Sequence, residues 1–325
     1  MHSKIGSVLV IGGMGYVGCI LSDMLKANEI EVDIVDCCFF ENEHTPIIYD
    51  NLYNVNIINY KLDKKYDLII WCSDLDIDEF YRYDEFGDYI KSYINKFGEV
   101  CKDNRVLYIT SFKSLLSDVN SIKFASYKRF LDCMKNEIQD STMTFYLGSL
   151  YGPSPRMRWD THINSIFYNF IVNECCVLSD DWLQEFPCCN VMSAASYIKD
   201  FIESNVKYIL GDYEFDDKFV FSETVNLLEV AHRVRLCVED GKEHYPIFTS
   251  EYDYTKYILE YDECVTNGVT IESSIEHFLK EMESQHLPDF ENDKYNNNKM
   301  LNVLRKSFNM FEKMDWLKNV KHKNE

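Results

Sequence analysis

Four glycines, Gly12, Gly13, Gly15 and Gly18, stand between the apolar run VLVI and a stretch with helical spacing. A glycine-rich turn that leaves a strand and enters a helix lets the backbone approach a pyrophosphate. The helix N-terminus then offers its unpaired N–H groups to the negative charge. The spacing reads as Gly12-x-x-Gly15-x-x-Gly18 or as Gly13-x-Gly15-x-x-Gly18. The next apolar run, VDIVD, ends at Asp36, where an acidic side chain would accept hydrogen bonds from an adenosine ribose. No arginine follows in DCCFFEN. A carboxylate there would repel a 2′-phosphate, so the chemistry points to NAD rather than NADP.

Positioning such a turn requires strands and crossover helices, and the first half of the chain alternates between them. The strand-like runs are VLVIG, VDIVD, VNII, DLIIWC, RVLYIT and TFYLG. Helical spacing covers 16–27, 78–101 and 122–138. Strands separated by crossover helices imply a parallel sheet covered on both faces, an α/β Rossmann-type doubly wound fold. After Pro153 the pattern becomes irregular, with a strand-like FVF at 219–221, a helix at 224–235 and an amphipathic helix at 271–283. This predicts a dinucleotide-binding domain over 1–150 and a smaller substrate domain over 151–325. That second part includes a polar stretch from about 286 and a helical tail over 300–319, with Leu301, Leu304, Phe308 and Phe311 near one face.

Composition narrows the partners. The chain has 325 residues and a formal net charge of −21, so its field repels nucleic-acid backbones and anionic lipid surfaces. No apolar run reaches the length of a spanning helix and the start lacks a signal-peptide pattern, which predicts a cytoplasmic protein. The twelve cysteines form no C-x-x-C pair and lack histidines at zinc spacing, so reduced thiols and no metal are expected.

With RVLYITSFKS and FASYKRFLD in view, the chain resembles the extended short-chain dehydrogenase/reductase family, the NAD-dependent sugar-nucleotide epimerases and dehydratases. The resemblance covers residues 6–285. It rests on the glycine turn, Asp36, the strand end DLIIWCS, Asn95 with Gly98, the TS at 110–111, Lys128, LGSLYGP at 147–153 and FVFSETVNLLEVA at 219–231. It implies that the backbone at Tyr16 and Val17 holds the pyrophosphate and that Cys72 and Ser73 line the cofactor. Asn56 and Ile57 would lie near the adenine, with Asn56 in place of the family's usual Asp. Ser111 would orient the sugar hydroxyl being oxidised, Lys128 would hydrogen-bond the nicotinamide ribose, and Ser149 would replace an Asn that meets the nucleotide diphosphate. A nucleotide-sugar substrate and a homodimer are implied too. The dimer would form through the helices at 78–101 and 122–138, whose apolar stripes carry Tyr89, Tyr93, Phe97 and Phe130.

The departures from the family bear on chemistry. Its members carry a Tyr four residues before the Lys, where the phenolate removes the substrate proton. Here that position is Phe124, and a phenyl ring carries no proton. Tyr127, adjacent to Lys128, points about 100° away on a helix. Phe112 and Lys113 replace the dehydratase Asp-Glu, which disfavours a 4,6-dehydratase. Lys113 is either an acid/base with a desolvated amine or an exposed loop lysine. The family's diphosphate-binding Arg, its His and its Asp fall on Phe186, Asn190 and Ser193. Arg156, Arg158 and His162 are alternative sources of positive charge, or surface loop residues. Two readings follow: an atypical NAD-dependent nucleotide-sugar epimerase or dehydrogenase, or a non-catalytic NAD-binding relative with an assembly or regulatory role.

Overall fold

The computed structural model describes residues 4–38, 47–73, 87–112, 130, 132–138, 141–178, 182–211, 216–238, 246–249 and 269–283. Its centre is a seven-stranded sheet built from β1 (Ser7–Ile11), β2 (Glu31–Asp36), β3 (Asn51–Asn54), β4 (Leu68–Trp71), β5 (Val106–Ser111), β6 (Thr142–Leu147) and β10 (Lys218–Val220). The strand order is β10-β6-β5-β4-β1-β2-β3, and each neighbouring pair is parallel. Order reverses between β1 and β4. At such a switch point the flanking crossovers leave in opposite directions and open a crevice at the strands' C-terminal ends.

Alternate residues feed two cores because successive side chains on a strand point to opposite faces. Val8, Val10, Ile70, Leu107 and Ile109 pack on one face, with α1 (Gly18–Ala27) and α4 (Val191–Ser204). Leu9, Ile11, Ile69, Trp71 and Tyr108 pack on the other, against Tyr93, Phe97 and Val100 of α2 (Gly87–Asp103) and against Phe130 and Met134. Both faces are covered, so the strands are continuously apolar rather than alternating.

The described residues after 151 form more regular elements than the sequence pattern suggests. A three-stranded sheet joins β7 (Ser149–Tyr151), β9 (Phe186–Asn190) and β11 (Glu223–Val225), while β8 (Cys176–Leu178) pairs with β12 (Ile247–Thr249). The longer helices described beside them, besides α4, are α3 (His162–Asn173), α5 (Leu227–Val238) and α6 (Ile271–Glu283), and a single turn covers Val206–Ile209. β10 comes from this half yet pairs with β6 in the central sheet, so that sheet draws on both sides of residue 150.

Three expected elements shift. VNII is not a strand: Asn56 accepts the Ile58 N–H at 3.1 Å and starts a 3₁₀ turn over Ile57–Asn59, while the edge strand is Asn51–Asn54. The helix expected at 224–235 begins at Leu227, because Glu223–Val225 pairs with β9 and Asn226 accepts the Glu229 N–H at 2.9 Å. The first helix begins at Gly18 rather than 16, because residues 12–17 form the turn. The expected helix over 78–101 is described from Gly87, that over 122–138 only at 130 and 132–138, and the tail helix over 300–319 lies outside the described residues.

Candidate active site

The glycine turn sits at the switch point. Gly12 leaves β1 with φ +81°, a left-handed conformation that side chains disfavour, and its N–H donates to Val35 O at 2.8 Å. A Cβ there would lie 2.7 Å from Ser73 N, so the turn lies directly on the end of β4. At Gly18 a Cβ would collide with Gly12 O and Gly13 Cα, which explains why the helix can begin so close to the strand. Gly15 differs. Beyond its chain neighbours, a Cβ there would meet, among the described residues, Gly12 O alone within 4 Å. The N-terminus of α1 has no side-chain cap and no acidic residue in its first turn. That combination suits an anion seated on backbone N–H groups.

Asp36 ends β2 beside this turn. Its Oδ2 accepts the Met14 N–H at 3.0 Å and its Oδ1 accepts the Cys38 N–H at 2.8 Å. Burial pushes its carboxyl above the usual carboxylate range, opposed by those two backbone donors and by the nearby Arg156 charge. Each carboxylate oxygen keeps further acceptor capacity, which ribose hydroxyls can use. Behind Ser73, Tyr93 donates its hydroxyl to Ser73 O at 2.8 Å, and Trp71 Nε1 donates to Tyr93 Oη at 2.9 Å. Cys72, between them, has a thiol that burial keeps protonated. Asn56 donates its amide to Tyr89 Oη at 3.0 Å, next to the buried Ile57.

Tyr16 and Val17 follow Gly15, and the Tyr16 side chain reaches the segment after β7. Its hydroxyl donates to Gly152 O at 2.5 Å and accepts from Asn164 Nδ2 at 3.0 Å. Asn164 is fully buried on α3, and nothing in the sequence pattern marks it except its polarity within an apolar stretch.

Among the expected substrate residues, Ser149 and His162 come together, with Ser149 Oγ 3.4 Å from His162 Nδ1. The imidazole packs on Phe186 at 5.5 Å between ring centroids. Arg156 is buried and donates to Met157 O, with its charge felt by Asp36. Arg158 holds the carboxylate of Asp160 with both fork atoms, at 3.1 and 2.9 Å. Asn190 and Ser193 have structural work: Asn190 caps α4 through the Met192 and Ser193 N–H groups, and Ser193 Oγ accepts the Val269 N–H at 3.1 Å.

Ser111 closes β5 in register with Leu147 of β6, on the same edge of the sheet as the glycine turn. Lys113, Phe124, Tyr127 and Lys128 lie outside the described residues. The aromatic residues expected to mark a dimer stripe are buried within the chain: Tyr93, Phe97 and Phe130 are at most 1% exposed and Tyr89 is 8% exposed. Tyr93, Phe97 and Phe130 pack in the core on that face of the sheet, with Trp71 edge-on to both Tyr93 and Phe97. No metal-binding cluster occurs among the described residues, and the described cysteines form no disulfide.

No protein-family model matches the chain, and no curated protein matches it. Solved structures do. A novel NAD-dependent NDP-hexosamine 5,6-dehydratase, TunA, involved in tunicamycin biosynthesis, superposes with a TM-score of 0.67 at 13% identity, covering 89% of this chain and 100% of its own. The UDP-N-acetylglucosamine 4-epimerase of Methanobrevibacter ruminantium M1, solved with UDP-N-acetylmuramic acid, gives 0.61 at 14% identity, covering 86% and 100%. The UDP-glucuronic acid 4-epimerase of Bacillus cereus, solved with UDP-glucuronic acid and NAD, gives 0.61 at 13% identity, covering 86% and 99%. The chain therefore has the Rossmann-type fold of these proteins over most of its length.

Proposed function

We propose that the chain is an NAD-dependent enzyme of the extended short-chain dehydrogenase/reductase type that oxidises a ring carbon of a nucleotide-sugar, as an atypical epimerase or dehydrogenase. The observation that carries this reading is the pairing, at the sheet's switch point, of a glycine turn entering a helix with a carboxylate at Asp36. The backbone at Gly12, Gly15, Tyr16, Val17 and Gly18 would hold the pyrophosphate, Asp36 the adenosine ribose, and Asn56, Ile57, Cys72 and Ser73 the walls around them. When bound, the dinucleotide supplies a hydride acceptor. Ser111 orients the sugar hydroxyl, Lys128 holds the nicotinamide ribose, and Ser149 with His162 faces the nucleotide diphosphate. The fold shared with sugar-nucleotide enzymes supports the substrate class.

Phe124 leaves the general base unassigned, with Lys113 and Tyr127 as the remaining carriers. Assembly as a homodimer belongs to the same reading. On α2 its contacts would involve the exposed Asp88, Lys91, Asn95, Glu99 and Lys102 rather than the buried aromatics. The second reading, a non-catalytic NAD-binding protein, is favoured by one observation: Asn190 and Ser193, which fall on family functional positions, are used structurally here.

Incubation with a panel of UDP-, GDP-, CDP- and dTDP-sugars separates the two. If the chain lost only its proton carrier, Phe124→Tyr restores NADH formation by roughly 10²- to 10⁴-fold. If another base acts, Lys113→Met or Tyr127→Phe abolishes an activity that wild type already shows, with NAD still bound. No turnover by wild type or by Phe124→Tyr on any sugar nucleotide ends the catalytic reading.

A further inference from the structure

Tyr16 is held at both ends by the segment that follows β7. Its hydroxyl donates to Gly152 O at 2.5 Å, and its carbonyl accepts from Ser154 Oγ at 2.8 Å. Asn164 closes the arrangement, donating to Tyr16 Oη at 3.0 Å and to Arg158 O at 2.9 Å while its Oδ1 accepts the Gly152 N–H at 3.0 Å. Gly152 itself has φ +103°, and a Cβ there would collide with Asn190 Nδ2, so this crossing has little freedom to move. The links join two places, which the contact of Cys19 Sγ with Ser154 Oγ at 3.2 Å also bridges. On one side is the backbone expected to seat a pyrophosphate. On the other are Ser149, three residues before Gly152, and His162, two residues before Asn164.

We infer that Tyr16 and Asn164 are positioning residues that lock the segment carrying Ser149 and His162 onto the glycine turn, so that filling the turn with a dinucleotide firms the nucleotide-sugar side of the site. This rests on the reading of the turn as a dinucleotide cradle. The Tyr16 side chain lies on the protein side of the turn, and burial keeps its phenol a neutral donor. Its effect therefore runs through hydrogen bonds rather than through contact with the ligand. Buried networks of this kind stiffen a site only while every member is satisfied, and one deletion loosens the rest.

Amide hydrogen exchange with NAD as the probe tests this on the whole chain. In wild type, NAD slows exchange in the turn, residues 12–20, and also in residues 155–168. Tyr16→Phe removes one hydroxyl and both of its hydrogen bonds while keeping the ring; it retains the protection of the turn and loses about ten-fold or more of that over 155–168, the scale of two buried hydrogen bonds. Ser154→Ala, which deletes the second link at a partly exposed site, gives the same split should Tyr16→Phe fail to fold. Protection of both regions in wild type and both variants overturns the inference, as does protection of the turn alone in wild type. If NAD protects neither region, the dinucleotide reading fails first and takes this inference with it.

Discussion

Asp36 combines a ligand's requirement with an unfavourable location. Its carboxyl is pushed upward chiefly by burial, and the backbone donors of Met14 and Cys38 oppose that shift. The ionised form is the one that accepts ribose hydroxyls, so NAD affinity falls as pH drops through a midpoint above the usual aspartate value of about 3.9. Asp36→Ala should weaken NAD by roughly 10- to 100-fold, the range for a lost charge-assisted pair, and weaken NADP less, because the repulsion of its 2′-phosphate disappears too. Calorimetric titration of both cofactors reads the ratio, and an unchanged ratio contradicts the assignment. Gly18 makes a different demand, since a methyl there would meet Gly12 O and Gly13 Cα. Gly18→Ala is expected to cost about 1–3 kcal/mol in urea unfolding, the range for forcing atoms into a packed site.

At the scale of elements, Arg233 on α5 clips two others together. It reaches Glu223 of β11 at 2.6 Å and Glu272 of α6 at 2.5 and 2.8 Å. The guanidinium holds the Glu272 carboxyl down to about 2, against an ordinary value of 4.5. A depressed folded-state value contributes stability that is present above the unfolded value and lost as pH falls toward the folded one. Glu272→Gln should therefore lower the melting temperature at pH 7, with the difference from wild type shrinking as pH falls from about 4.5 to about 2. A difference that does not change with pH would assign the effect to packing instead. This clip was not legible in the sequence, because its three residues meet only through tertiary structure. The central sheet was legible, since strands buried on both faces are written as apolar runs such as VLVI and DLIIWC. The turn was legible because glycine spacing is local. The strands over 149–151 and 186–190 were not, the first being three residues long and the second, FPCCN, carrying a proline and no β-branched residue. Tyr89, Tyr93, Phe97 and Phe130 illustrate a further limit: helical spacing marks an apolar stripe but does not say whether a sheet or a second subunit covers it.

Over the whole molecule, a net charge of −21 opposes the approach of an anionic dinucleotide, while the turn that receives it offers backbone N–H groups over a short range. Raising ionic strength screens the long-range repulsion first. NAD association, followed by quenching of protein fluorescence, should therefore speed up several-fold between about 10 mM and about 150 mM salt, where the screening length falls from about 30 to about 8 Å. A rate that falls with salt would indicate local positive steering that outweighs the net charge. Everything proposed for the site depends on the turn and Asp36 acting together as a dinucleotide cradle. Titration of NAD into the purified chain by calorimetry tests that most directly. The account predicts saturable binding of one NAD per chain, tighter than NADP. No measurable binding, or tighter binding of NADP, would contradict it.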